Sequence, residues 1–257
     1  MTQLSDIVAF LDAELRTREV PDYAGAVNGL QVANSGDVSR VAVAVDASRN
    51  AIEAAAARGA NLLIVHHGLF WSGVQPIVGV PYQRLRTLFQ HDIAVYSSHL
   101  PLDVHPAHGN NAQLARALGL EPSGTFARFK TIDAGVTGEC NIATQALVER
   151  ATAFAAKYGG TVRTSVSGTD RQTRKWAMCT GAGASSESLA EVYERGVDTL
   201  IVGEGPHHTA VDAIEHDLCV IYAGHYATET PGVLALGALV ERQFGLPWTF
   251  ELLPTGL

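Results

Sequence analysis

Two adjacent histidines end an apolar run in the stretch NLLIVHHG, residues 61–68. The apolar residues predict a buried strand, which would leave His66 and His67 at its carboxyl end. Neighbouring side chains of a straight strand point to opposite faces, but a turn at Gly68 would let both rings enter one pocket and serve two metal ions. Hydrogen bonding that merely caps the strand is the alternative. Two adjacent imidazoles near further histidine–acid pairs favour metal binding.

Two such pairs follow along the chain. The segment SHLPLD places His99 four residues before Asp103, and GHYATE places His225 four residues before Glu229. Neutral imidazoles and carboxylates together suit Zn, Mn or Fe. With the histidine pair they exceed the needs of one ion, and a carboxylate with ligands on both sides suggests two ions about 3.5–4 Å apart. Pro101 predicts a loop, not a helix, across the first segment.

An internal repeat relates the parts of the chain that carry these residues. RGANLLIVHHG (58–68) aligns with RGVDTLIVGEG (195–205), an offset of 137 positions. At the same offset VAVAVDAS (41–48) aligns with MCTGAGAS (178–185). Residues 41–68 and 178–205 are therefore each predicted to form a strand, a turn, a helix and a second strand. Glu204 aligns with His67 in this register, which predicts that both face one cavity.

The repeat continues at a second offset. SHLPLD falls on GHYATE and LGL (118–120) falls on FGL (244–246) at an offset of 126. The first half therefore contains eleven extra residues between the two blocks. They lie in or near GLFWSGVQPIVGVPYQR, whose glycines, prolines and aromatic residues predict an elaborated loop near the site.

Apolar periodicity predicts the elements that position these residues. Helices are expected at about 5–16, 49–58, 81–90, 110–118, 143–158, 186–195 and 231–243. Strands are expected at 41–45, 61–65, 93–97, 132–137, 161–166, 175–179, 199–202 and 218–222. This alternation predicts an α/β fold with mixed α/β character and parallel pairing within each βαβ unit.

The repeat predicts two related α/β halves that arose by duplication. The first half, 1–128, carries His66, His67, His99 and Asp103; the second, 129–257, carries His225 and Glu229, and the halves share the site. The sequence is compatible with separate halves and with intertwined ones.

Most histidines follow the ends of predicted strands, which is where α/β sheets bind their ligands. His105 and His108, in DVHPAHGNN, are interpreted as facing a substrate or as supporting the ligands. His207 and His208 are interpreted as polar surface more readily than as proton donors. The turn GAGAS after a strand has the form of an anion cradle, although a simple helix cap explains it better.

Composition narrows the class of protein. The chain has 257 residues, 47% of them hydrophobic, and a formal net charge of −8, which argues against direct nucleic-acid binding. Its three cysteines are far apart, which predicts a reduced, cytoplasmic protein without disulfides. No apolar run approaches 18 residues, so no membrane span is expected.

These motifs resemble those of the Nif-three-like proteins, also known as dinuclear-metal-centre hexameric proteins or homologues of type 2 GTP cyclohydrolase I. The resemblance covers essentially the whole chain. It rests on NGLQV (28–32), HHGLFW (66–71), YSSHLPLDVHPAHGNNAQLA (96–115), the dipeptide Gly203-Glu204 and GHYATE (224–229).

The resemblance implies two related halves around two divalent ions and a toroidal hexamer. It carries the metal ligands onto His66, His67, Asp103, His225 and Glu229, with Asp103 as the bridge. His99 is interpreted as an extra ligand or a supporting residue. The chain is too short for the domain that many relatives insert between the halves, and Leu100 stands where relatives often have a small polar residue.

Two functions fit these residues. One is a dinuclear metal-dependent hydrolase, GTP cyclohydrolase-like, acting on a nucleotide or another small molecule with metal-activated water. His99 and His105 are the candidates for catalytic proton transfer in that reading. The other is a non-catalytic protein that binds or delivers metal or acts as a regulatory scaffold. Both need the same ligands.

Overall fold

A computed structural model of the chain describes residues 2–73 and 75–257. Val74, in the stretch predicted as an elaborated loop, lies outside the described residues. The first elements are β1 (Thr2–Gln3), α1 (Leu4–Glu14), β2 (Gly29–Val32), β3 (Asp37–Val38), β4 (Val41–Asp46), α2 (Arg49–Ala57), β5 (Leu62–His67), α3 (Gly79–Gln90), β6 (Ala94–Ser97), α4 (Leu100–Asp103) and α5 (Asn110–Leu118).

The remaining elements begin with a long antiparallel pair. They are β7 (Gly124–Phe129), β8 (Ile132–Ala143), α6 (Thr144–Ala156), β9 (Arg163–Thr164), β10 (Gln172–Cys179), α7 (Ser186–Glu194), β11 (Thr199–Val202), α8 (His207–Glu215), β12 (Cys219–Tyr222), α9 (His225–Phe244) and β13 (Trp248–Phe250). Every helix predicted from the sequence is present. The periodicity did not predict α8, β7 or β13.

The chain folds into two compact units, each built from separate segments. The first unit comprises the chain up to Leu102 and Gly232–Leu253; the second comprises Asp103–Pro231 and Pro254–Leu257. The expected division near residue 128 falls inside β7, within the second unit. The units differ from consecutive halves because β13 pairs in parallel with β4, so the segment after Pro231 joins the first sheet.

The two larger sheets share the arrangement of four strands, and β1 and β3 form a separate two-stranded sheet. The first has the order β13-β4-β5-β6-β2, and the second has the order β7-β8-β10-β11-β12-β9. In each, three consecutive strands run parallel and an antiparallel edge strand follows the third: β4, β5, β6 with β2, and β10, β11, β12 with β9. This confirms the mixed α/β fold with two related parts.

Local features confirm the alignment at its helix ends. Ser48 caps α2 by accepting a hydrogen bond from the Ala51 amide, and Ser185 caps α7 by accepting one from the Ser188 amide, each at 3.1 Å. Helices α5 and α9 both end before a left-handed glycine, with φ of 70° at Gly119 and 68° at Gly245.

Strand register corrects the alignment elsewhere. Val41 pairs with Leu62, whereas Trp176 pairs with Thr199, so the first strands correspond at an offset of 135 and not 137. The turn before Ser185 is two residues longer than the turn before Ser48, which explains the difference.

The parallel strands are buried on both faces, which explains their continuous apolar runs. In β11, Ile201 packs in one cluster with Trp176 and Met178, while Leu200 and Val202 pack in another. The first unit packs residues of α2, such as Ile52, against Val65 of β5. Among the described residues, no helix is long and apolar enough to cross a membrane.

Candidate metal centre

Three histidines cluster at the carboxyl ends of β5 and β6 in the first unit. His66 and His67 are the last residues of β5, and His99 follows β6. Their ligand atoms lie within 4.8 Å of one another, an arrangement that can hold a metal ion. The ring of His66 is 4.7 Å from that of His67 and 4.9 Å from that of His99, measured between centroids. Both adjacent histidines therefore reach one site, as predicted.

An oxygen atom orients each ring of the cluster. Nδ1 of His66 lies 2.9 Å from the carbonyl oxygen of Ser98. Nδ1 of His67 lies 2.9 Å from Oδ1 of Asp46, and Nδ1 of His99 lies 2.9 Å from Oδ1 of Asp22. A carbonyl or carboxylate only accepts, so Nδ1 carries the proton in each ring and Nε2 is the nitrogen that can coordinate a metal ion. Histidines that bind metal are held in this way.

Asp22 fixes the backbone around His99 as well as its ring. The Asp22 carboxylate accepts hydrogen bonds from the Asn28 side chain at 2.8 Å and from the Leu100 amide at 2.9 Å. Asn28 in turn accepts from the His99 amide at 2.8 Å. Burial raises the pKa of Asp22. The hydrogen bond and charge of His99, together with hydrogen bonds from Asn28 and the Tyr23 amide, outweigh burial and bring the pKa below its ordinary value.

The NGLQV segment also holds the turn after the histidine pair. Gln31 accepts a hydrogen bond from the Leu69 amide at 2.7 Å and donates to the carbonyl of Ala26 at 3.0 Å. Its side chain lies against Gly68 so closely that a Cβ there would overlap it. Gly68 is therefore needed for this contact, and the loop after β5 is fixed from β2.

Aromatic residues form the rim of the histidine cluster. The Trp71 ring meets the His99 ring edge-on at a centroid distance of 4.7 Å, and Tyr23 lies 6.1 Å from the same ring. The side chain of His99 is 12% exposed, so the rim leaves the cluster only a narrow access to water. Trp71 lies at this rim, whereas Trp176 is buried in the core of the second unit.

The second unit carries a histidine between two carboxylates. Nδ1 of His225 lies 2.8 Å from Oε1 of Glu204, and Nε2 lies 3.0 Å from Oε2 of Glu229. Burial lowers the pKa of His225, but the hydrogen bonds and charges of Glu229 and Glu204 outweigh it and raise the pKa to about 9. Two carboxylates thus concentrate negative charge around one ring, an environment that attracts a cation. The sequence alignment pointed to Glu204.

Helix α9 begins at His225 and contains Pro231, so it starts six residues before the predicted helix at 231. The sequence prediction used proline as the first helical residue. The structure shows proline inside the helix, where it gives up one backbone hydrogen bond. His225 and Glu229 therefore lie one turn apart on the same face of the helix.

Asp103 is a buried carboxylate in the same unit, 7% exposed. Its Oδ1 accepts a hydrogen bond from the Asn110 side chain at 2.8 Å, and the Thr180 hydroxyl lies 3.4 Å from the same atom. Asp103 ends the helical turn α4, where a loop was predicted. That prediction was wrong because Pro101 stands in the first turn, where its missing N–H has no helical partner to lose.

The turn after β10 packs beside both Asp103 and Glu229. Thr180 faces Asp103, while Gly181 faces Glu229 so closely that a Cβ would overlap its carboxylate and lie 3.3 Å from Nε2 of His225. Burial, with the charges of Asp103 and Glu229, raises the pKa of the Cys179 thiol to about 12. Cys179 is therefore close enough to both carboxylates to respond to their charges.

The weaker candidates occupy other places. His105 and His108 stack with their ring centroids 4.9 Å apart and interplanar angle 18°. His207 and His208 open α8 and are exposed, with His208 Nε2 at 3.3 Å from the Ser186 hydroxyl. The turn before α7 is capped by Ser185.

The sequence did not predict the residues that orient the histidine rings of the first unit. Asp22 and Asp46 were missed because each orients a histidine 77 or 21 positions away, and no local pattern marks such a pair. Asn28 and Gln31 were noted as part of a motif, but their role as clamps needs the structure.

Comparisons with known proteins show which family the chain belongs to. The sequence model described as Duf34/NIF3 (NGG1p interacting factor 3) matches residues 2–254. A Deinococcus radiodurans protein named GTP cyclohydrolase 1 type 2 homolog is 39% identical over 254 residues, 98% of this chain and 94% of that protein. A Pyrococcus abyssi protein of the same name is 40% identical over 258 residues and covers 98% of each.

A solved structure described as protein ybgI, of unknown function, has a TM-score of 0.89 at 32% identity over 100% of both chains. The fold and the site together define a class of duplicated α/β proteins with histidine and carboxylate groups that can hold metal. Within this class, the chain belongs to the Duf34/NIF3 family.

Proposed function

We propose that the chain binds two divalent metal ions and is a metal-dependent hydrolase of the GTP cyclohydrolase-like kind. The ligands in this proposal are His66, His67, Asp103, His225 and Glu229, with Asp103 as the bridge. The observation that carries it is the fixed Nδ1 of His66, His67 and His99, which prepares Nε2 in each of these rings to bind metal.

The chemistry of the donors fits a borderline metal. Imidazole nitrogens and carboxylate oxygens suit Zn, Mn or Fe, whereas Ca and Mg prefer oxygen alone. We add His99 to these five ligands, because its ring lies in the same cluster as His66 and His67 and is oriented in the same way. This assignment replaces the proton-transfer role that the sequence suggested for His99.

Divalent ions, when bound, supply Lewis-acid activation of water and substrate. The residues of the chain orient and confine the reaction. Asp22, Asp46 and Glu204 hold the imidazoles in one tautomer, and Trp71 limits the access of water at the histidine cluster. His105 remains the candidate for proton transfer to the substrate, because its ring is not part of the cluster of His66, His67 and His99.

The proposed substrate is a nucleotide or a similar small molecule. The names of the Deinococcus and Pyrococcus relatives support this direction, since both are called GTP cyclohydrolase homologues. The proposed setting is the cytoplasm, in keeping with three cysteines that form no disulfide in the structure. The proposed assembly is a hexamer, and a chain that is only monomeric in solution at micromolar concentration would contradict it.

The decisive experiment measures metal content and turnover together. Chain reconstituted with Zn, Mn or Fe is screened against GTP and other phosphorylated or cyclic substrates, with Asp103→Ala as the blank. Asp103→Asn is a second blank that keeps an acceptor for Asn110 but removes the charge. Turnover above both blanks supports the hydrolase. Tight metal binding without turnover for any metal and substrate would favour a metal-delivery or scaffold protein instead.

A further inference from the structure

A cavity of about 450 Å³ opens in the second unit beside Asp103. Its walls include Asp103, His105, Asn111, Arg116, Glu121 and Val136. The volume falls in the range of about 300–1,000 Å³ that is usual for small-molecule pockets. One wall therefore carries a proposed metal ligand, and the others carry polar groups that the metal centre does not use.

His105 differs from the proposed metal ligands in its tautomer. Its Nδ1 accepts hydrogen bonds from the backbone amides of His108 at 2.9 Å and Ala107 at 3.2 Å. A nitrogen that accepts a hydrogen bond carries no proton, so in this arrangement the ring proton is on Nε2. His105 thus serves as a hydrogen-bond donor at Nε2, whereas His66, His67 and His99 are prepared to coordinate there.

Arg116 is the cationic side chain of a cavity wall that also carries the carboxylates of Asp103 and Glu121. It lies in the last turn of α5, is exposed, and makes no ion pair or side-chain hydrogen bond with any described residue. Among the described residues that line the cavity it is the single lysine or arginine. A planar guanidinium matches the oxygens of a phosphate group in geometry and charge. Its lack of a partner is notable in a chain with a net charge of −8.

We propose that this cavity binds the phosphate group of a phosphorylated small-molecule substrate through Arg116 and the Nε2–H of His105. The substrate would then extend from the phosphate toward Asp103. This assignment rests on the proposed function for the reaction at the other end of the substrate. Binding itself does not require turnover, so the two can be tested separately.

The test compares equilibrium binding of GMP and guanosine to the metal-loaded full chain. The two probes differ only in the phosphate group. We expect GMP to bind at least about tenfold more tightly than guanosine, and inorganic phosphate to compete with it, as a charge-assisted hydrogen bond predicts. Arg116→Gln should remove most of this preference. Arg86→Gln, which removes the same charge from the exposed face of α3, should leave it unchanged.

Two further variants examine the roles of His105 and Glu121. His105→Asn keeps an acceptor for the amides of Ala107 and His108 but has no Nε2–H, so it should reduce the preference for GMP. Glu121→Gln removes a negative charge from the wall and should strengthen it. If His105→Ala weakens binding but His105→Asn does not, His105 only caps the backbone, and the proposed contact is wrong.

The results of these experiments test the phosphate site independently of the proposed hydrolase activity. A GMP preference near one in the unmodified chain, or one that survives both Arg116→Gln and His105→Asn, overturns the phosphate site even where turnover is found. A preference that depends on both residues, in a protein that turns over nothing, supports the phosphate site and overturns the hydrolase. Unfolding curves of each variant exclude a general loss of structure.

Discussion

Oε1 of Glu204 lies 2.8 Å from Nδ1 of His225, and this contact orients the ring so that Nε2 faces Glu229. The pair corresponds in role to Asp46 and His67 in the first unit, where Nδ1 and Oδ1 are 2.9 Å apart. In both units a carboxylate outside the proposed ligand set fixes the tautomer of a proposed ligand. Both histidine rings are therefore oriented before any ion binds.

The first prediction follows from that contact. Glu204→Gln keeps an oxygen near Nδ1 of His225 but removes the charge, which lowers the basicity of the ring. We expect the affinity for Zn to fall about 10- to 100-fold, the usual effect of losing such a partner. Competition with a chromophoric chelator measures it. Glu215→Gln, an exposed change on α8, is the matched control. Equal affinities for both variants would argue against a positioning role for Glu204.

The second prediction concerns stability. Asp22→Ala leaves the Asn28 amide, the Leu100 N–H and the His99 ring without their acceptor in a part of the unit where the Asp22 side chain is only 6% exposed. The free energy of unfolding should fall by about 1–3 kcal/mol, the cost of leaving buried donors unsatisfied. Urea unfolding of the metal-free chain measures it, with the exposed Glu194→Ala as control. A change below about 0.5 kcal/mol would contradict the clamp.

The third prediction uses two glycines with the same backbone conformation. Gly181 and Gly196 both have φ of 63°, but a Cβ at Gly181 would overlap Glu229, whereas nothing lies within 4 Å of a Cβ at Gly196. Both alanine variants should lose about 1–2 kcal/mol from the left-handed backbone. Only Gly181→Ala should also release metal, because Glu229 must move. Metal content after dialysis distinguishes them, and equal retention would count against Glu229 as a ligand.

Much of the fold could be predicted because helices and buried strands leave strong periodic signals. Helix α5 and strand β11 agree with the sequence prediction at both ends, 110–118 and 199–202. Asp92 and Asp217 lie at the helix-to-strand turns after α3 and α8, and both adopt left-handed φ, at 52° and 54°. The pattern failed where tertiary pairing decides the structure. Short strands such as β13 gain stability only by pairing, here with β4.

The candidate site was likewise only partly predictable from the sequence. The residue types of the proposed ligands were recognisable, because histidines and acids at strand ends are unusual. The start of α9 was not, because Pro231 normally signals a helix beginning and not a helix interior. The orienting carboxylates Asp22 and Asp46 were also invisible, since their partners are distant in sequence and meet them only in the folded unit.

The last prediction decides the role of His99. The sequence suggested proton transfer, whereas its place beside His66 and His67 supports metal binding. If His99 is a ligand, His99→Ala should lower the metal content about as much as His67→Ala does, and activity should fall with it. His91→Ala, an exposed histidine at the end of α3, is the control and should change neither.

Metal per chain and rate are measured on the same samples of each variant. A His99→Ala chain that keeps its full metal content but reacts roughly 100-fold more slowly would reverse the assignment, because that is the usual contribution of a positioned acid–base group. Asp22→Asn should follow His99→Ala in direction with a smaller loss of metal, since the ring would remain but lose its charged partner. Loss of metal in both variants, with His91→Ala unaffected, would identify the Asp22–His99 pair as part of the metal centre.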